Sequence, residues 1–339
     1  MTNDATVASL GEFGLIDHCF KTLERTDVPG VGMGIGDDAA VFLVPRTQDL
    51  LATTDTLVEG VHFVRDADPR DLGWKAVAVN LSDIAAMGGE PRWYLLSITL
   101  PSSTPLAWVE RLALGMNEAG ARFRVTLAGG NTTRTDGPIV LTINMFGVVG
   151  HERSLLRAGA AAGNRLFVSG TIGDAALGLR HLLGVDETLR RMDPAAIRFL
   201  MERHLRPMPR TDLGLTLVDA AIARAVIDVS DGLLADAQHL CRSSGVGADI
   251  DLRRIPLSPP ARQWLEGSEH DRWPLLLTGG EDYELLFAVA PGAADQLPAI
   301  AARLGVTLTE IGIVTDRKEV RLLDNGNPLS FAVPGFRHF

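Results

Sequence analysis

The sequence predicts an α+β protein of two domains, and three observations carry that prediction. The chain has 339 residues, more than a single hydrophobic core usually serves. In its first half the apolar patterns follow the order β-β-α-β-α-β-β, with strands and helices mixed rather than strictly alternating. Around His151 to Gly163 the pattern lapses into Arg, Gly and Ala and then restarts, which divides the chain into residues 1–150 and 151–339.

Taken in order, residues 12 to 25 place Ile16, Cys19, Phe20 and Leu23 at helical spacing, a first amphipathic helix. Gly30, Gly32, Gly34 and Gly36 then alternate. The stretch lacks the closing two-residue gap of a dinucleotide fingerprint and leads into a strand, Ala39 to Val44, where that fingerprint requires a helix. Asp37 and Asp38 follow Gly36, where small residues let a phosphate or metal come close; a plain Gly-Asp turn is the alternative. The apolar run Leu50-Leu51-Ala52 reads as a strand ending in Thr53-Thr54-Asp55. Two hydroxyls and a carboxylate there are hard oxygen ligands suited to Mg²⁺, although Thr and Asp also cap strand ends and helix starts. His62 and Phe63 follow closely, an imidazole and a flat ring for an aromatic, cationic substrate.

Asp71 to Met87 reads as a helix closed by Gly88-Gly89. Asn80 and Asp83 lie three apart on one face of it. From Ala76 to Met87 there is no other charge, so Asp83 needs a partner: a metal, or a buried cap or salt bridge. A strand (Trp93 to Leu100), a helix (Pro105 to Phe123), a strand ending in Ala128-Gly129-Gly130-Asn131-Thr132-Thr133 and a long strand from Ile139 to Val149 complete the first half. The turn read at Gly129 to Thr133 offers backbone N–H groups to a phosphate.

The second half opens with a strand, Arg165 to Ser169, and with Gly170 to Asp174 starting a helix whose N-terminus suits an anion or a plain cap. Helices follow near Pro194 to Leu205 and Thr211 to Ala223. The strand Ala225 to Asp228 then runs into Val229-Ser230-Asp231-Gly232, again a strand with paired acids and a hydroxyl. Gly279-Gly280-Glu281-Asp282-Tyr283-Glu284 precede a last apolar strand, Leu285 to Val289.

Composition narrows the function. A net charge of −10 and a pI near 5.3 argue against a nucleic-acid or anionic-membrane partner, since either needs a basic face. Cys19 and Cys241 have no metal-ligand spacing, the N-terminus has no basic n-region, and no apolar run is long enough to span a bilayer. A cytoplasmic protein with a small-molecule partner is expected. With no Gly-Lys dipeptide there is no P-loop, and neither a protein-kinase signature nor a nucleophile triad is visible. What remains is Asp38, Asp55, Asp83, Asp228 and Asp231. Gathered without cations they would repel one another, so they make sense as a magnesium cage carrying an anionic load, and phosphoryl transfer from a nucleotide fits.

Six stretches carry a resemblance. Gly11-Glu12-Phe13, Gly34-Ile35-Gly36-Asp37-Asp38, Thr53-Thr54-Asp55-Thr56-Leu57-Val58, Val79-Asn80-Leu81-Ser82-Asp83-Ile84-Ala85-Ala86-Met87-Gly88, Ile227-Asp228-Val229-Ser230-Asp231-Gly232-Leu233 and Gly279-Gly280-Glu281-Asp282-Tyr283-Glu284 resemble the thiamine-monophosphate kinases, in that family's order and on to the Gly335-Phe336-Arg337-His338-Phe339 tail. The resemblance implies a two-domain synthetase-like fold of the aminoimidazole-ribonucleotide-synthetase superfamily. Its N-terminal α+β domain would bind ATP and magnesium and dimerise through its sheet; its C-terminal α/β domain would cover the cleft. It implies ATP and thiamine monophosphate as substrates and a homodimer. By resemblance Asp38, Thr53, Thr54, Asp55, Asp83 and Asp228 ligate magnesium, with Asp231 on a further ion. Gly130, Asn131, Arg157 and Ser230 belong to the nucleotide, and His62, Glu281 and Phe336 to the thiamine moiety. Asn131 stands where the family carries Asp, so one expected anionic ligand is neutral, though an amide oxygen still coordinates Mg²⁺. The acceptor phosphate is already ionised near neutral pH, so direct in-line transfer without a general base is expected. Rivals within the superfamily are a ring-closing synthetase, a selenide-activating kinase, whose N-terminal redox residue is missing here, and a hydrogenase-maturation protein, whose terminal cysteine is replaced by Phe339. A non-catalytic nucleotide-binding dimer is the rival from another class.

Overall fold

In the computed structural model the described residues are 5–267 and 269–329, so Phe336 and the tail around it lie outside them. The chain forms two units. The first runs to Ile84 and from Gly89 to Arg153; the second takes Ala85–Gly88 and the chain from Ser154 on.

In the first unit, β1 (Val31–Met33) and β2 (Val41–Phe42) form a short antiparallel pair. Strands β3 (Gln48–Val58), β4 (Glu90–Pro101), β5 (Thr126–Thr135) and β6 (Val140–Gly150) form a four-stranded sheet ordered β3-β6-β4-β5, antiparallel except between β4 and β5. The amphipathic N-terminal segment is not one helix. Helix α1 (Val7–Leu15) is kinked by Gly11 at φ +65°, a π turn covers Ile16–Phe20, and a 3-10 turn covers Lys21–Leu23. β2 is shorter than the expected Ala39–Val44 because its register against β1 slips after one pair. Helices α2 (Pro69–Ala86) and α3 (Leu106–Phe123) pack backbone to backbone: a β-carbon on Gly115 would lie 1.8 Å from the Arg70 carbonyl oxygen.

One face of this sheet is covered along its length; the other is covered only at one end, where Trp93, Val148 and Ala128 pack with Val28 and with Phe42 of β2. Leu51, Leu57, Leu96, Ile98, Leu141, Ile143 and Met145 are buried, and β6 presses on α2 where Gly147 meets Ile84. On the opposite face the register aligns Thr56, Thr142, Ser97 and Asn131 in one row across all four strands, with the Thr56 and Thr142 hydroxyls 2.8 Å apart. That row is polar and partly to fully exposed.

The second unit is built on a seven-stranded sheet of β7 (Arg165–Ser169), β8 (Ala223–Asp228), β9 (Gly247–Asp251), β10 (Leu285–Val289), β11 (Leu308–Thr315), β12 (Val320–Asp324) and β13 (Asn327–Leu329), ordered β13-β12-β9-β11-β7-β10-β8. Strand β10, Leu-Leu-Phe-Ala-Val, is apolar and buried at every position because both of its faces are covered. Leu166, Val168, Ile227, Leu286 and Ala288 enter one core; Phe167, Val226, Leu285, Phe287 and Val289 enter the other. Helices α4 (Asp174–Leu182), α5 (Glu187–Arg190), α6 (Pro194–Leu205), α7 (Thr211–Ala220) and α8 (Leu233–Ser244) belong to this unit. α7 stops short of the expected Ala223 because Ala221 turns left-handed (φ +53°) and Ala223 already begins β8. The architecture is the α+β class that the sequence predicts. Among the described residues no helix is long and apolar enough to cross a membrane.

Candidate active site

Thr53, Thr54 and Asp55 lie in the middle of β3, not at its end. The strand continues to Val58, since β-branched threonines suit extended backbone as well as the apolar run before them. Strand alternation then divides the trio: Thr53 and Asp55 share the face of buried Leu51 and Leu57, whereas Thr54 and Thr56 stand exposed on the other. On the covered face Thr53 Oγ1 donates to Asp83 Oδ2 at 2.5 Å. A threonine hydroxyl is thus one partner of Asp83, the lone carboxylate of α2 beyond its first turn. Asn80, one turn earlier, is fully buried, and its Nδ2 donates to the Ala76 carbonyl at 3.1 Å.

Asp38 sits in an exposed turn where its N–H bonds Asp37 Oδ1 at 2.8 Å. The glycine-rich stretch before it is fixed by Glu24, whose Oε1 accepts from the Ile35 N–H at 2.6 Å. Sequence reasoning missed Glu24. His62 lies in the turn after β3, where its Nδ1 accepts from the Val58 N–H at 3.1 Å. In a neutral ring the proton is then on Nε2, which makes that nitrogen a donor.

Gly130 and Asn131 are not in a turn. β5 runs straight through them as an edge strand, and the two glycines answer a different need. The β4 register slips between Tyr94 and Leu95, so Ala128 is bulged out, and β4 then comes so close that a β-carbon on Gly130 would lie 1.9 Å from the Leu96 carbonyl oxygen. Asn131 is exposed on the same face as Thr54, opposite to Asp55 and Asp83. The first unit therefore pairs Thr53 with Asp83 but does not bring Asn131 to them.

In the second unit β8 ends at Asp228, as expected, and two separate sequence motifs meet there. The Glu281 N–H donates to the Ser230 carbonyl (2.8 Å), the Tyr283 N–H to the Val229 carbonyl (2.9 Å), and the Val229 N–H to the Glu284 carbonyl (2.8 Å). These three bonds continue the β8–β10 pairing, whose register sets Leu285 opposite Asp228. Asp228 is buried, Asp231 is exposed, and a third carboxylate joins them from the first turn of α8: Asp236 Oδ2 accepts from the Asp231 N–H at 3.2 Å. Burial, and then the charges of Asp228 and Asp231, push the Asp236 carboxyl up to about 8; the exposed Arg157 guanidinium works weakly against them. Asp236 was also missed, although it is the one charge among Leu233, Leu234, Ala235 and Ala237, the signal that singled out Asp83.

Glu281 is partly exposed, and His204 Nδ1 of α6 lies 2.9 Å from its Oε2, at ion-pair distance but off the line of a straight hydrogen bond. The α4 N-terminus does not await an external anion. Asp282 fills it, its carboxyl accepting from the Gly173 N–H at 2.8 Å. Among the described residues no three His, Cys, Asp or Glu side chains form a ready metal cage. The donors nonetheless suit magnesium: they are hard oxygens, and the crowding of Asp228, Asp231 and Asp236 is what a divalent cation relieves.

Known proteins are similar to this chain along nearly its whole length. Residues 36–149 match the family model for the AIR synthase related protein, N-terminal domain, and residues 161–325 match its C-terminal domain. The thiamine-monophosphate kinase of Escherichia coli K12 is 41% identical over 330 residues, covering 97% of this chain and 98% of that protein. The crystal structure of thiamine-monophosphate kinase from Stenotrophomonas maltophilia superposes with a TM-score of 0.79 at 41% identity, over 89% of this chain and 93% of that one. A structure of AaThiL complexed with AMPPCP and TMP superposes with a TM-score of 0.76 at 36% identity, over the whole of both chains.

Proposed function

The chain belongs to the thiamine-monophosphate kinase family, within the wider AIR-synthase-related group, and on that premise we propose that it transfers the terminal phosphoryl group of ATP to thiamine monophosphate, giving ADP and thiamine diphosphate. The observation that carries the reading is the union of the Asp228–Asp231 turn with the Glu281 loop through three backbone hydrogen bonds. It ties carboxylates suited to magnesium to a carboxylate suited to a cationic acceptor.

The residues divide the work by chemistry. Asp38, Thr53, Thr54, Asp55, Asp83, Asn131, Asp228 and Asp231 would hold several magnesium ions. Magnesium bound there would offset the negative charge of the phosphates. Gly130, Asn131, Arg157 and Ser230 are assigned to the nucleotide. His62 offers an Nε2–H donor to the acceptor, and Glu281 meets the thiazolium charge or accepts from the pyrimidine amino group. Phe336 is assigned to stack on the same moiety. The acceptor phosphate is ionised at neutral pH, so transfer is direct and in line and no side chain has to remove a proton.

Residues 1–150 carry most of the magnesium ligands, Gly130 and Asn131 for the nucleotide and His62 for the acceptor; residues 151–339 add Arg157 and Ser230 for the nucleotide, Asp228 and Asp231 for magnesium, and Glu281 and Phe336 for the acceptor. The protein works as a cytoplasmic homodimer, for which the exposed Thr56-Thr142-Ser97-Asn131 face of the first sheet is the available surface. The test follows ADP release from γ-labelled ATP and magnesium, with and without thiamine monophosphate. Acceptor-dependent ADP, with label in thiamine diphosphate and none on the protein, is expected. ADP release indifferent to the acceptor, or a labelled protein that passes its label on, would refute the reading.

A further inference from the structure

Behind the Glu281 loop lies a buried ionic cluster that the reaction does not use directly. Glu284 is fully buried, yet its carboxylate is gripped on every side. Arg210 of α7's N-terminus donates from Nε to Oε2 (2.6 Å) and from Nη2 to Oε1 (2.5 Å), Arg203 of α6 from Nη2 to Oε1 (2.8 Å), and Ser169 Oγ to Oε2 (2.6 Å). Burial alone would raise the Glu284 carboxyl; Arg210 and then Arg203 outweigh it and hold the group below the usual range. The same Ser169 oxygen accepts from the Leu285 N–H at 2.9 Å, so the grip extends to the first residue of β10.

A buried ion pair of this kind is weak evidence for stability, because desolvation of the charges offsets their attraction. What it can do is fix a geometry, and the loop beside it needs fixing. Glu281 (φ +60°) and Tyr283 (φ +50°) are both left-handed, a backbone state that side chains with a β-carbon disfavour. Two left-handed residues within three persist only where their surroundings over-determine them. Here the flanking residues are anchored inward: Asp282 to the α4 N-terminus and Glu284 to the two arginines. Glu281 is left partly exposed between Gly280 and these anchors, with His204, the residue after Arg203, at its carboxylate.

We propose that Arg203 and Arg210 are positioning residues which, through Glu284, lock the Glu281 carboxylate in its place and so set the affinity for the acceptor without touching it. The inference rests on Glu281 being the acceptor's carboxylate. A clamp that only stabilises the fold would act on both substrates alike and regardless of what stands at 281.

Steady-state kinetics on the full chain test it, with Glu284→Gln, Arg210→Lys, Glu281→Gln and the double variant Glu281→Gln/Glu284→Gln. Arg210→Lys keeps the charge but loses the fork, and serves if Glu284→Gln does not fold. Each clamp variant should raise KM for thiamine monophosphate about tenfold while KM for ATP changes less than about twofold. In the Glu281→Gln background, Glu284→Gln should add less than about twofold, because residues acting through one another are not additive. Equal effects on both KM values, or clamp and Glu281 effects that multiply, would overturn the inference while leaving Glu281 in the site. If Glu281→Gln itself spares KM for the acceptor, the assignment of Glu281 fails, and the clamp's role in acceptor binding fails with it.

Discussion

Asp282 should make the second unit less stable as pH rises, and Asp282→Asn should remove that dependence. Burial pushes the Asp282 carboxyl up from its ordinary 3.8 to about 8, with the Gly173 N–H and the Arg203 charge pulling it back only in part, and Asp174 and Glu284 opposing its ionisation. In the folded chain the group therefore keeps its proton through neutrality; in the unfolded chain it has lost it above pH 3.8. Between those values the folded state binds more protons, so stability is full below 3.8 and is lost as pH climbs toward 8, by about 1.4 kcal/mol per pH unit. From pH 5 to 7.5 that amounts to about 3 kcal/mol. An asparagine keeps an oxygen to accept from Gly173 and has nothing to ionise. The stability difference between variant and wild type should then move by about 3 kcal/mol in the variant's favour over that interval. Urea unfolding read by hydrogen exchange at the buried β10 amides reports this unit alone. Parallel pH profiles for the two proteins would refute the reasoning, since they would mean that Asp282 is ionised in both states.

Asp55→Asn and Asp83→Asn should each abolish turnover while the circular dichroism spectrum stays that of the wild type; full activity in either folded variant would remove it from the metal set. Asn131→Asp puts a carboxylate where the resemblance leads one to expect it, so the magnesium concentration for half-maximal rate should fall, and an unchanged titration would show that Asn131 does not tune the metal. Gly115→Ala must push α3 off the Arg70 carbonyl and should cost the first unit about 2–3 kcal/mol, read from the urea midpoint. A neutral result there would mean that the two helix backbones do not touch.

Where one physical signal dominated, the fold was legible. The strands Arg165–Ser169 and Leu285–Val289 and the helix Pro194–Leu205 stand at their expected bounds, because unbroken apolar runs and a clear helical period leave little choice. The reading failed where one residue type serves two purposes. Gly129-Gly130 reads as a phosphate-binding turn, but in an edge strand the same glycines accommodate a bulge and the close approach of β4. Thr53-Thr54-Asp55 reads as a strand end because the apolar run stops at Ala52, yet alternation with buried Leu51 and Leu57 continues through it. Nothing in the sequence could show that Arg203 and Arg210 converge on Glu284, since contacts across 74 and 81 residues follow from the packing of α6 and α7 alone.

The site obeys a rule that the sequence could have applied more widely. A single carboxylate in an apolar helix has to meet a partner, and this picks out Asp83, which meets Thr53, and equally Asp236, which meets the Asp231 N–H. Parity along β3 sets a second constraint that the sequence states just as plainly once the strand's true length is known. Successive side chains leave on opposite faces, so Thr54 groups with Asn131 on the open face of the sheet, and Thr53 and Asp55 group with Asp83 under α2. Thr54 and Asn131 are also separated by the two strands β6 and β4, about 14 Å at the usual strand spacing. Side chains placed so far apart and on both faces cannot all close on one ion within one chain. A single cage drawn from every oxygen of the motif is therefore too simple, and more than one magnesium position is the arrangement that the strand geometry permits.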